Sequence, residues 1–459
     1  MEHIHFVGIC GTAMGSVAAA MHAKGFTVTG SDENVYPPMS TFLEEQGIRI
    51  FPGYKAENIP ESAEVIVIGN AISRGNEEAE AALERKLLYV SLPEVLKEHF
   101  LRGKRNLVVS GTHGKTTTSS MLAWLLKSTG EDTSHMIGGI PRNLGKGAAF
   151  TDSDFTVLEG DEYDTAFFDK RSKFLHYLPE VVVVNNIEFD HADIYDSLDE
   201  IKLTFKRLLN IVPRNGIAFI NGDCPNSLDV SQGAPAPTKT VGLSDSCELQ
   251  ITEIDYREEG TSFTLDGEAY TIPMAGEFNV RNAAMAICSA RFSGFTPDQI
   301  RDGLSSFEGI ARRQEVRGIA GGVRVIDDFA HHPTAIGLAI DSLRQQYQGS
   351  RLWVIFEPRS NTTRRNIFQD ELATALSKAD IALVPAVPDP EKVAAEDRLD
   401  PEKLVADVSN SGTDCWYCET VEDIVALAAE NAQEGDTIAV LSNGGFGGIH
   451  NKLLSSLEN

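Results

Sequence analysis

The chain reads Asn106-Leu-Val-Val-Ser-Gly-Thr-His-Gly-Lys-Thr-Thr117 at the point where a short apolar run meets a helical stretch. Its glycines let backbone N–H groups turn toward a phosphate, and the helix N-terminus that follows adds the positive end of its dipole. Lys115 is placed to reach the β- and γ-phosphates of ATP, and the Thr116 hydroxyl is placed to bind Mg²⁺. The stretch is a shortened form of the usual loop, which requires glycine at position 109, where this chain has valine.

This stretch therefore predicts an α/β domain that binds ATP, in preference to a glycine-rich turn without a ligand. The predicted ATP contacts along the loop are Gly111, Thr112, His113, Gly114, Lys115, Thr116 and Thr117.

The charge of the chain limits its partners. Among 459 residues, 40 are Lys or Arg and 67 are Asp or Glu, so the formal net charge is −27. A field of this sign repels nucleic acid and anionic membrane surfaces, and no apolar run approaches the ~20 residues of a membrane span. We therefore expect no nucleic-acid or membrane partner. An anionic small-molecule substrate is compatible with this charge, because a local basic pocket can outweigh the mean field.

The cysteines and the N-terminus indicate the compartment. Six cysteines in so long a chain are not a disulfide framework. Residues Met1–Gly8 lack the basic segment and apolar core of a secretory signal. We expect a soluble, cytoplasmic protein with free thiols. The one Cys-x-x-Cys, Cys415–Cys418, lies in a strand-like stretch without a second pair, so we expect a structural role in preference to a zinc or redox role.

Strand and helix signals alternate along most of the chain. Short runs of apolar residues, such as Val65–Ile68 and Val181–Val184, are separated by helical stretches, which is typical of parallel sheets covered on both faces. Residues 248–274 differ, because their alternation and the Asp266-Gly267 turn are typical of antiparallel strands. We predict three α/β domains and leave the oligomeric state open. The predicted domains are residues 1–105, 106–318 and 319–459.

Two acidic clusters follow neighbouring buried strands. Glu159–Asp164 follows the strand predicted at 155–158, and Asn185–Asp193 follows the strand predicted at 181–184. Open α/β sheets bind ligands beyond the carboxyl ends of their strands, and Mg²⁺ beside phosphates prefers oxygen ligands. The two clusters therefore predict a magnesium site.

A second glycine-rich turn, Gly8–Gly15, joins the first predicted strand to a helix, and Asp32 ends the second strand. A pyrophosphate fits the helix N-terminus at such a turn. The spacing departs from G-x-G-x-x-G, so a nicotinamide-linked dehydrogenase is the weaker interpretation, and it leaves the ATP loop unexplained.

Five motifs, in order along the chain, resemble those of the Mur ligase family of ATP-dependent amide-bond ligases in bacterial cell-wall synthesis. They are Gly111–Thr117, Asn186–Asp193, Gly276–Asn282, Arg312–Glu315 and Asp327–Thr334. The resemblance spans essentially the whole chain. It implies an N-terminal Rossmann-like domain for a UDP-sugar, a central P-loop ATPase-like domain for ATP and Mg²⁺, and a C-terminal Rossmann-like domain for the incoming amine.

The resemblance also implies roles for individual residues. The implied catalytic residues are Lys115, Asn143, His191 and Arg313. The implied magnesium ligands are Thr116, Glu159 and His191, although imidazole is an unusual ligand for so hard a cation. Further contacts to ATP are implied for Asn282, Arg313 and Asp328. The implied UDP-sugar contacts are Cys10, Gly11, Thr12, Ala13, Met14, Ser31, Asp32 and Asn70. The implied contacts to the amine substrate are His331, His332, Arg359 and Asn443.

Within the family, the N-terminal turn is most like that of members that start from UDP-N-acetylmuramate. Several stretches resemble the member that adds the recycled tripeptide L-alanyl-γ-D-glutamyl-meso-diaminopimelate. These stretches are Ser31–Ser40, Phe167–Lys173, Glu357–Thr362 and Ser442–His450. The implied reaction converts the substrate carboxylate to an acyl phosphate with ATP, and the tripeptide amine then displaces phosphate.

Three alternatives are weighed beside this reaction. Free L-alanine is an alternative acceptor, and a folate polyglutamate ligase is another member of the same family. A nucleotide-binding module without catalysis is the alternative outside enzymes.

Two positions bear on how closely the chain follows the family. Phe278 stands where the family has His, and Lys206, 15 residues past His191, is predicted to be an unmodified surface lysine.

Overall fold

The computed structural model describes residues 2–257 and 260–458. By its internal contacts the chain divides into two compact units. The first comprises the residues up to Glu188, Leu198–Gln250 and Met285–Gly303. The second comprises Phe189–Ser197, Ile251–Ala284 and the residues from Leu304 onward. Over the described ranges, no helix is both long and apolar enough to cross a membrane.

The first unit begins with a five-stranded parallel sheet. Its strands are β1 (His3–Val7), β2 (Thr27–Asp32), β3 (Arg49–Pro52), β4 (Val65–Ile68) and β5 (Leu88–Ser91). Its helices are α1 (Thr12–Ala23), α2 (Met39–Glu45), α3 (Glu77–Glu84) and α4 (Leu92–Leu96). The strand order is β3-β2-β1-β4-β5. The inner strands β1 and β4 are buried along their whole length, as expected for strands covered on both faces.

A buried carboxylate ties this sheet to helix α3. The Glu78 side chain is fully buried and accepts hydrogen bonds from Ser31 Oγ at 2.5 Å and Asn58 Nδ2 at 2.8 Å. It also accepts from the Lys55 backbone N–H at 3.1 Å, and it lies 3.2 Å from His5 Nε2. Such a group is stable in the interior only while these partners are present, because a buried carboxylate without hydrogen bonds is strongly disfavoured.

The central sheet follows. Its strands are β6 (Arg105–Ser110), β7 (Ser134–Met136), β8 (Ala148–Ala149), β9 (Phe155–Gly160), β12 (Pro179–Val184), β13 (Ile217–Asn221) and β14 (Thr238–Gly242), with a hairpin of β10 (Asp164–Ala166) and β11 (Asp169–Ser172). Its helices are α5 (Lys115–Ser128), α6 (Leu198–Asn210) and α7 (Pro225–Ser231). The order is β14-β13-β12-β6-β9-β7-β8, and all neighbours are parallel except β8 on β7. Because β6 lies between β12 and β9, the loops that follow these three strands lie side by side.

Antiparallel strands begin where the sequence predicts them. Strand β15 (Leu249–Arg257) pairs in parallel with β14 through its first two residues, and from Ile251 onward it pairs antiparallel with β16 (Gly260–Leu265). Strand β17 (Glu268–Ile272) completes this antiparallel set. Two helices follow, α8 (Glu277–Phe292) and α9 (Pro297–Ser305).

The second unit contains a six-stranded sheet. Its strands are β18 (Glu315–Ala320), β19 (Val323–Asp328), β20 (Leu352–Phe356), β21 (Ile381–Pro385), β22 (Asp414–Cys418) and β23 (Thr437–Leu441). Its helices are α10 (Pro333–Gln346), α11 (Gln369–Leu376), α12 (Pro401–Asn410), α13 (Val421–Asn431) and α14 (Ile449–Leu457). The order is β18-β19-β23-β20-β21-β22, parallel apart from the edge strand β18.

Short helical turns complete the described secondary structure. The 3₁₀ turns are Ala56–Asn58, Lys173–His176, Asn366–Phe368, Pro390–Lys392, Ala395–Asp397 and Phe446–Gly448, and a π-helical turn covers Lys97–Leu101. The predicted α/β class is confirmed, while the boundaries near 105 and 318 stay predictions.

The Cys-x-x-Cys stretch lies in β22, as the sequence indicates. Successive residues of a strand point to opposite faces, so residues three apart face away from each other. Cys415 accordingly packs in the apolar layer that contains Leu404, whereas Cys418 packs in the layer that contains Ile424. Burial raises the pKa of the Cys415 thiol to about 12 and that of Cys418 to about 11. Two buried thiols on opposite faces fit a packing role.

We expect the substitution Glu78→Ala to lower the free energy of unfolding by about 2–5 kcal/mol, because it leaves the donors of Ser31 and Asn58 buried without an acceptor. Urea unfolding measures this loss. The matched control is Glu84→Ala, an exposed glutamate on the same helix α3, which should change the free energy by less than about 0.5 kcal/mol. Equal losses in both variants would contradict a special role for the Glu78 carboxylate.

Candidate active site

The glycine-rich loop connects β6 directly to α5. Gly111 has φ +128° and Gly114 has φ +81°, so both occupy backbone conformations that favour glycine. At Gly111 a Cβ atom would lie 3.0 Å from the backbone nitrogens of Asn185 and Asn186. The loop thus turns tightly against the end of β12 while the N-terminus of α5 stays open toward a ligand, which is the geometry of a phosphate-binding turn.

Two asparagines fasten this loop. The Asn186 side-chain oxygen accepts from the His113 backbone N–H at 2.7 Å, and its backbone carbonyl accepts from Thr112 N–H at 3.0 Å. Asn185 donates to the Thr118 hydroxyl at 3.1 Å. The acidic residues of this stretch are predicted from the sequence as site residues, whereas the role of its two amides is not. The signal was an Asn-Asn pair immediately after a buried strand.

Lys115 is held by carboxylates at the end of β9. Its ammonium donates to both oxygens of Glu162, at 2.9 and 3.0 Å, and to the carbonyls of Gly111 and Thr112 at 2.7 and 3.2 Å. Burial alone would lower the pKa of Lys115, but Glu162 and Asp161 outweigh burial and raise it. Lys115 therefore stays a cation at neutral pH.

Asp161 is the second anion of this group. Burial would raise the pKa of its carboxyl, yet Lys173 and Lys115 hold that pKa at about 2. Lys173 Nζ donates to Asp161 at 2.6 Å. The end of β9 therefore carries fixed negative charge beside a fixed positive charge.

Oxygen ligands meet at Thr116 and Glu159. The Thr116 hydroxyl donates to Glu159 Oε1 at 3.1 Å, and Glu159 Oε2 accepts from the Gly138 backbone N–H at 2.8 Å. A hydroxyl and a carboxylate are the donor types that Mg²⁺ prefers. The structure thus brings together two of the three predicted magnesium ligands within the first unit, whereas His191 belongs to the segment Phe189–Ser197 of the second unit. Asn143 lies in the turn after Pro141, also in the first unit.

The N-terminal glycine turn is arranged around Asp32. The Cys10 backbone N–H donates to Asp32 Oδ2 at 2.9 Å, and burial together with Asp32 raises the pKa of the Cys10 thiol to about 11. Gly11 is the N-cap of α1 and leaves the helix without a side-chain cap. The first helical turn, Thr12–Met14, therefore presents backbone N–H groups that an anion can accept from.

Two further residues predicted to contact the UDP-sugar lie at the ends of β2 and β4, the two strands that flank β1. Ser31 donates to the buried Glu78, as described above. The Asn70 amide nitrogen is placed to donate to the Asp164 carbonyl and carboxylate, each at 3.2 Å. The hairpin that begins at Asp164 also packs Phe168 edge-on against Tyr89, with ring centroids 4.9 Å apart. Asn70 is thus tied to the central part of the first unit.

In the second unit, Asp328 ends β19 and accepts from two backbone N–H groups. These are Ala330 at 2.7 Å and Gln314 at 2.9 Å. Burial raises the pKa of the Asp328 carboxyl, although the Arg313 cation opposes this. The Arg313 guanidinium lies 4.8 Å from the ring centre of Phe329. Asn282 on α8 has a buried amide nitrogen without a hydrogen-bond partner in the described residues, which leaves it available for a ligand.

The loop after β23 is fastened by Arg312, which the sequence analysis named only within a motif. Its guanidinium donates to the carbonyls of Ser442 and Gly444, each at 2.7 Å. A Cβ at Gly444 would lie 2.1 Å from Arg359 Nη1, so the Arg359 guanidinium lies directly on this glycine. The Asn443 side-chain oxygen is buried without a partner in the described range. Arg359 and Asn443 therefore lie close together, as adjacent strand ends require.

The predicted histidines surround Asp190. Burial would raise the pKa of the Asp190 carboxyl, but His191, His331 and His332 bring it well below its ordinary value. Thr362 donates to Asp190 at 3.1 Å. His332 Nδ1 accepts from the Thr334 backbone N–H at 3.3 Å and so caps α10. His191 itself has φ +55°, a strained backbone that is frequent at functional sites.

We expect Gly111→Ala to weaken ATP binding at least tenfold, because the new Cβ presses on the backbone of Asn185 and Asn186 at a φ that alanine rarely adopts. Isothermal titration with ATP measures the effect. The control Gly130→Ala has a similarly unfavourable φ of +95° but open space around the new Cβ. It should lower stability slightly and leave the affinity for ATP unchanged. A parallel loss of affinity in both variants would show general strain instead of a local role.

Comparison with known proteins covers nearly the whole chain. Residues 3–104 match the family model described as "Mur ligase family, catalytic domain". The Mur ligase middle domain matches 109–290, and the Mur ligase, glutamate ligase domain, matches 312–444. The three matches together span most of the 459 residues, in the order of the three sheets.

Individual relatives are similar over full length. The chain is 43% identical to the UDP-N-acetylmuramate–L-alanyl-γ-D-glutamyl-meso-2,6-diaminoheptandioate ligase of Escherichia coli, covering 99% of this chain and 98% of that protein. It is 39% identical to the ligase of the same name in Haemophilus influenzae, with complete coverage of both. A crystal structure of a murein peptide ligase from Psychrobacter arcticus has a TM-score of 0.72 at 36% identity, covering 100% of this chain and 99% of that one.

Proposed function

Since the chain belongs to the Mur ligase family, we propose that it joins UDP-N-acetylmuramate to the tripeptide L-alanyl-γ-D-glutamyl-meso-diaminopimelate. It is an ATP-dependent ligase that forms an amide bond. The observation that carries the choice of substrates is the full-length similarity to relatives that bear this name, at 39% and 43% identity. We propose the cytoplasm as its compartment, and we propose the residue roles from the contacts of the residues themselves.

The proposed chemistry follows from the poor reactivity of a carboxylate. A carboxylate has no good leaving group, so it does not react with an amine at neutral pH. Attack of the sugar-linked carboxylate on the γ-phosphate of ATP gives an acyl phosphate and ADP. The neutral amine of the tripeptide then attacks the acyl carbon and releases phosphate. Phosphoryl transfer of this kind depends mainly on positioning and on charge neutralisation.

Lys115 supplies the charge on the protein side. In the structure its ammonium is paired with the Glu162 carboxylate, whose oxygens occupy the place expected for phosphate oxygens of ATP. We infer that a phosphate of ATP takes over this partner, while the loop N–H groups and the N-terminus of α5 bind the same phosphates. Arg313, stacked on Phe329, is the proposed second cation. The Asn282 amide nitrogen, which has no partner among the described residues, is a proposed donor to the nucleotide.

The donor set at Thr116 and Glu159 fits Mg²⁺, since it offers a hydroxyl and a carboxylate that already lie 3.1 Å apart. These two residues would hold the ion, with His191 as the third proposed ligand. When bound, Mg²⁺ neutralises phosphate charge. The proposed work of the chain itself is to hold Glu159 in place, through the Gly138 N–H, and to place Asn143 near the substrate carboxylate.

The substrates are proposed to bind at the ends of the two Rossmann-like sheets. The uncapped first turn of α1 is the proposed site for the UDP pyrophosphate, since its backbone N–H groups can donate to an anion. The Arg359 guanidinium is proposed to pair with a carboxylate of the tripeptide, because its planar fork binds carboxylates through two hydrogen bonds. The nearby Asn443, His331 and His332 are proposed to complete the amine-substrate site.

The decisive assay measures phosphate release from ATP with Mg²⁺ and UDP-N-acetylmuramate, with the tripeptide and free L-alanine offered separately. We expect release with the tripeptide, together with a UDP-linked product of the corresponding mass. Release with L-alanine instead would establish the alternative acceptor within the family. ATP binding without release in either assay would indicate a nucleotide-binding module and would overturn the proposal.

We expect Arg359→Gln to raise KM for the tripeptide about tenfold to a hundredfold, because a charge-assisted, two-fold hydrogen bond is lost. KM for ATP should stay within about twofold of the wild type. Arg359→Lys keeps the charge but not the planar fork, so its KM for the tripeptide should lie between those of the wild type and Arg359→Gln. Arg344→Gln, an exposed arginine of the same unit, is the control. A rise in KM for ATP equal to that for the tripeptide would contradict the assignment.

A further inference from the structure

A second concave site lies at the opposite end of the six-stranded sheet from the residues described above. It has a volume of about 540 Å³ and is lined by residues just before or at the start of β19, β20 and β23, including Arg324, Ser350 and Gly435. Asp328 and Ser442, in contrast, lie at the carboxyl ends of β19 and β23. A strand of five or six residues spans roughly 17–20 Å, so this cavity is separate from the amine-substrate site.

The cavity contains a guanidinium in a strongly acidic protein, whose formal net charge is −27. Arg257 and Arg324 line it, and none of the described residues that line it is acidic. Arg257 is paired with Asp255, with Nη2 2.6 Å from the carboxylate, so Arg324 is the cation that can bind an anion. The Arg324 guanidinium lies 4.0 Å from the ring centre of Tyr347, and its Nη1 donates to Thr437 at 3.3 Å. A guanidinium fixed over an aromatic ring in this way has donors directed for a planar anion such as a carboxylate.

The same cavity also contains a buried hydrogen-bond acceptor that has no donor among the described residues. Gln345 also lines the cavity, and its side-chain oxygen is buried with no hydrogen-bond partner in the described residues. A buried acceptor without a hydrogen bond is unfavourable, and a bound donor would remove that penalty. Gln345 lies in the last turn of α10, where the carbonyl end of the helix carries partial negative charge and favours a cation.

We propose that this cavity binds a small zwitterion, an amino acid or a short peptide, with its carboxylate on Arg324 and its ammonium on Gln345 and the carbonyl end of α10. The opposite charges of such a ligand match the guanidinium and the helix end. A volume of about 540 Å³ lies within the usual range for small-molecule sites. Because the cavity is remote from the strand ends that hold Arg359, a ligand there is not the substrate amine.

The test uses the full chain labelled with 3-fluorotyrosine and follows the ¹⁹F resonance of Tyr347, assigned with Tyr347→Phe. Titration with glycylglycine should shift this resonance saturably, and glycine, tested separately, distinguishes a peptide from a single amino acid. N-acetylglycine lacks the ammonium and glycinamide lacks the carboxylate, so each should bind at least tenfold more weakly. Equal binding of glycylglycine and N-acetylglycine would overturn the zwitterion, and no saturable shift with any probe would overturn the site.

Two variants test the residues. Arg324→Gln should weaken glycylglycine binding at least tenfold, and Gln345→Leu should do the same while leaving the weak binding of N-acetylglycine unchanged. Arg214→Gln makes the same charge change at an exposed position of the first unit and should leave the affinity unchanged. A loss in Arg214→Gln equal to that in Arg324→Gln would contradict the proposal, as would unchanged affinity in both cavity variants.

Discussion

The arrangement of the proposed ATP site depends on the contact between the glycine-rich loop and the end of β12. Gly111 lies so close to the backbone of Asn185 and Asn186 that no side chain fits there, and the amides of that pair then bind the loop. This contact requires β6 and β12 to be neighbours in parallel register. With β9 on the other side of β6, the carboxylates that meet Lys115 and Thr116 arrive at the same place. The strand order thus places the Lys115 cation beside the carboxylates that follow β9.

The second unit repeats this arrangement with different chemistry. Strand β23 lies between β19 and β20, and the loops after all three meet around Ser442, whose hydroxyl donates to Glu357. Here the fastening group is a guanidinium, Arg312, instead of an amide. In both units the side chains that fasten the loops differ from those proposed to contact substrate. In each unit, separate side chains therefore hold the loops in position for the residues proposed to contact ligands.

Much of the fold could be predicted from the sequence, because buried parallel strands have a strong apolar signature and glycine turns mark the strand-to-helix junctions. The antiparallel strands after residue 248 were predicted for the same kind of reason, from alternation and the Asp266-Gly267 turn. The hairpin of β10 and β11 was not predicted, since its short strands are polar. The carboxylate partner of Lys115 could not be assigned either, because the neighbouring acids Glu159, Asp161 and Glu162 are chemically alike and only the backbone path separates their roles.

The path of the chain between the two units has a consequence for how the protein can be divided. The units are built from six alternating segments, so the chain passes between them five times, and both β15 and α8 begin in one unit and end in the other. No single cut of the polypeptide releases either unit intact. A truncation between residues 189 and 303 removes part of both units, and a circular permutation that keeps every segment is the less disruptive way to move the termini.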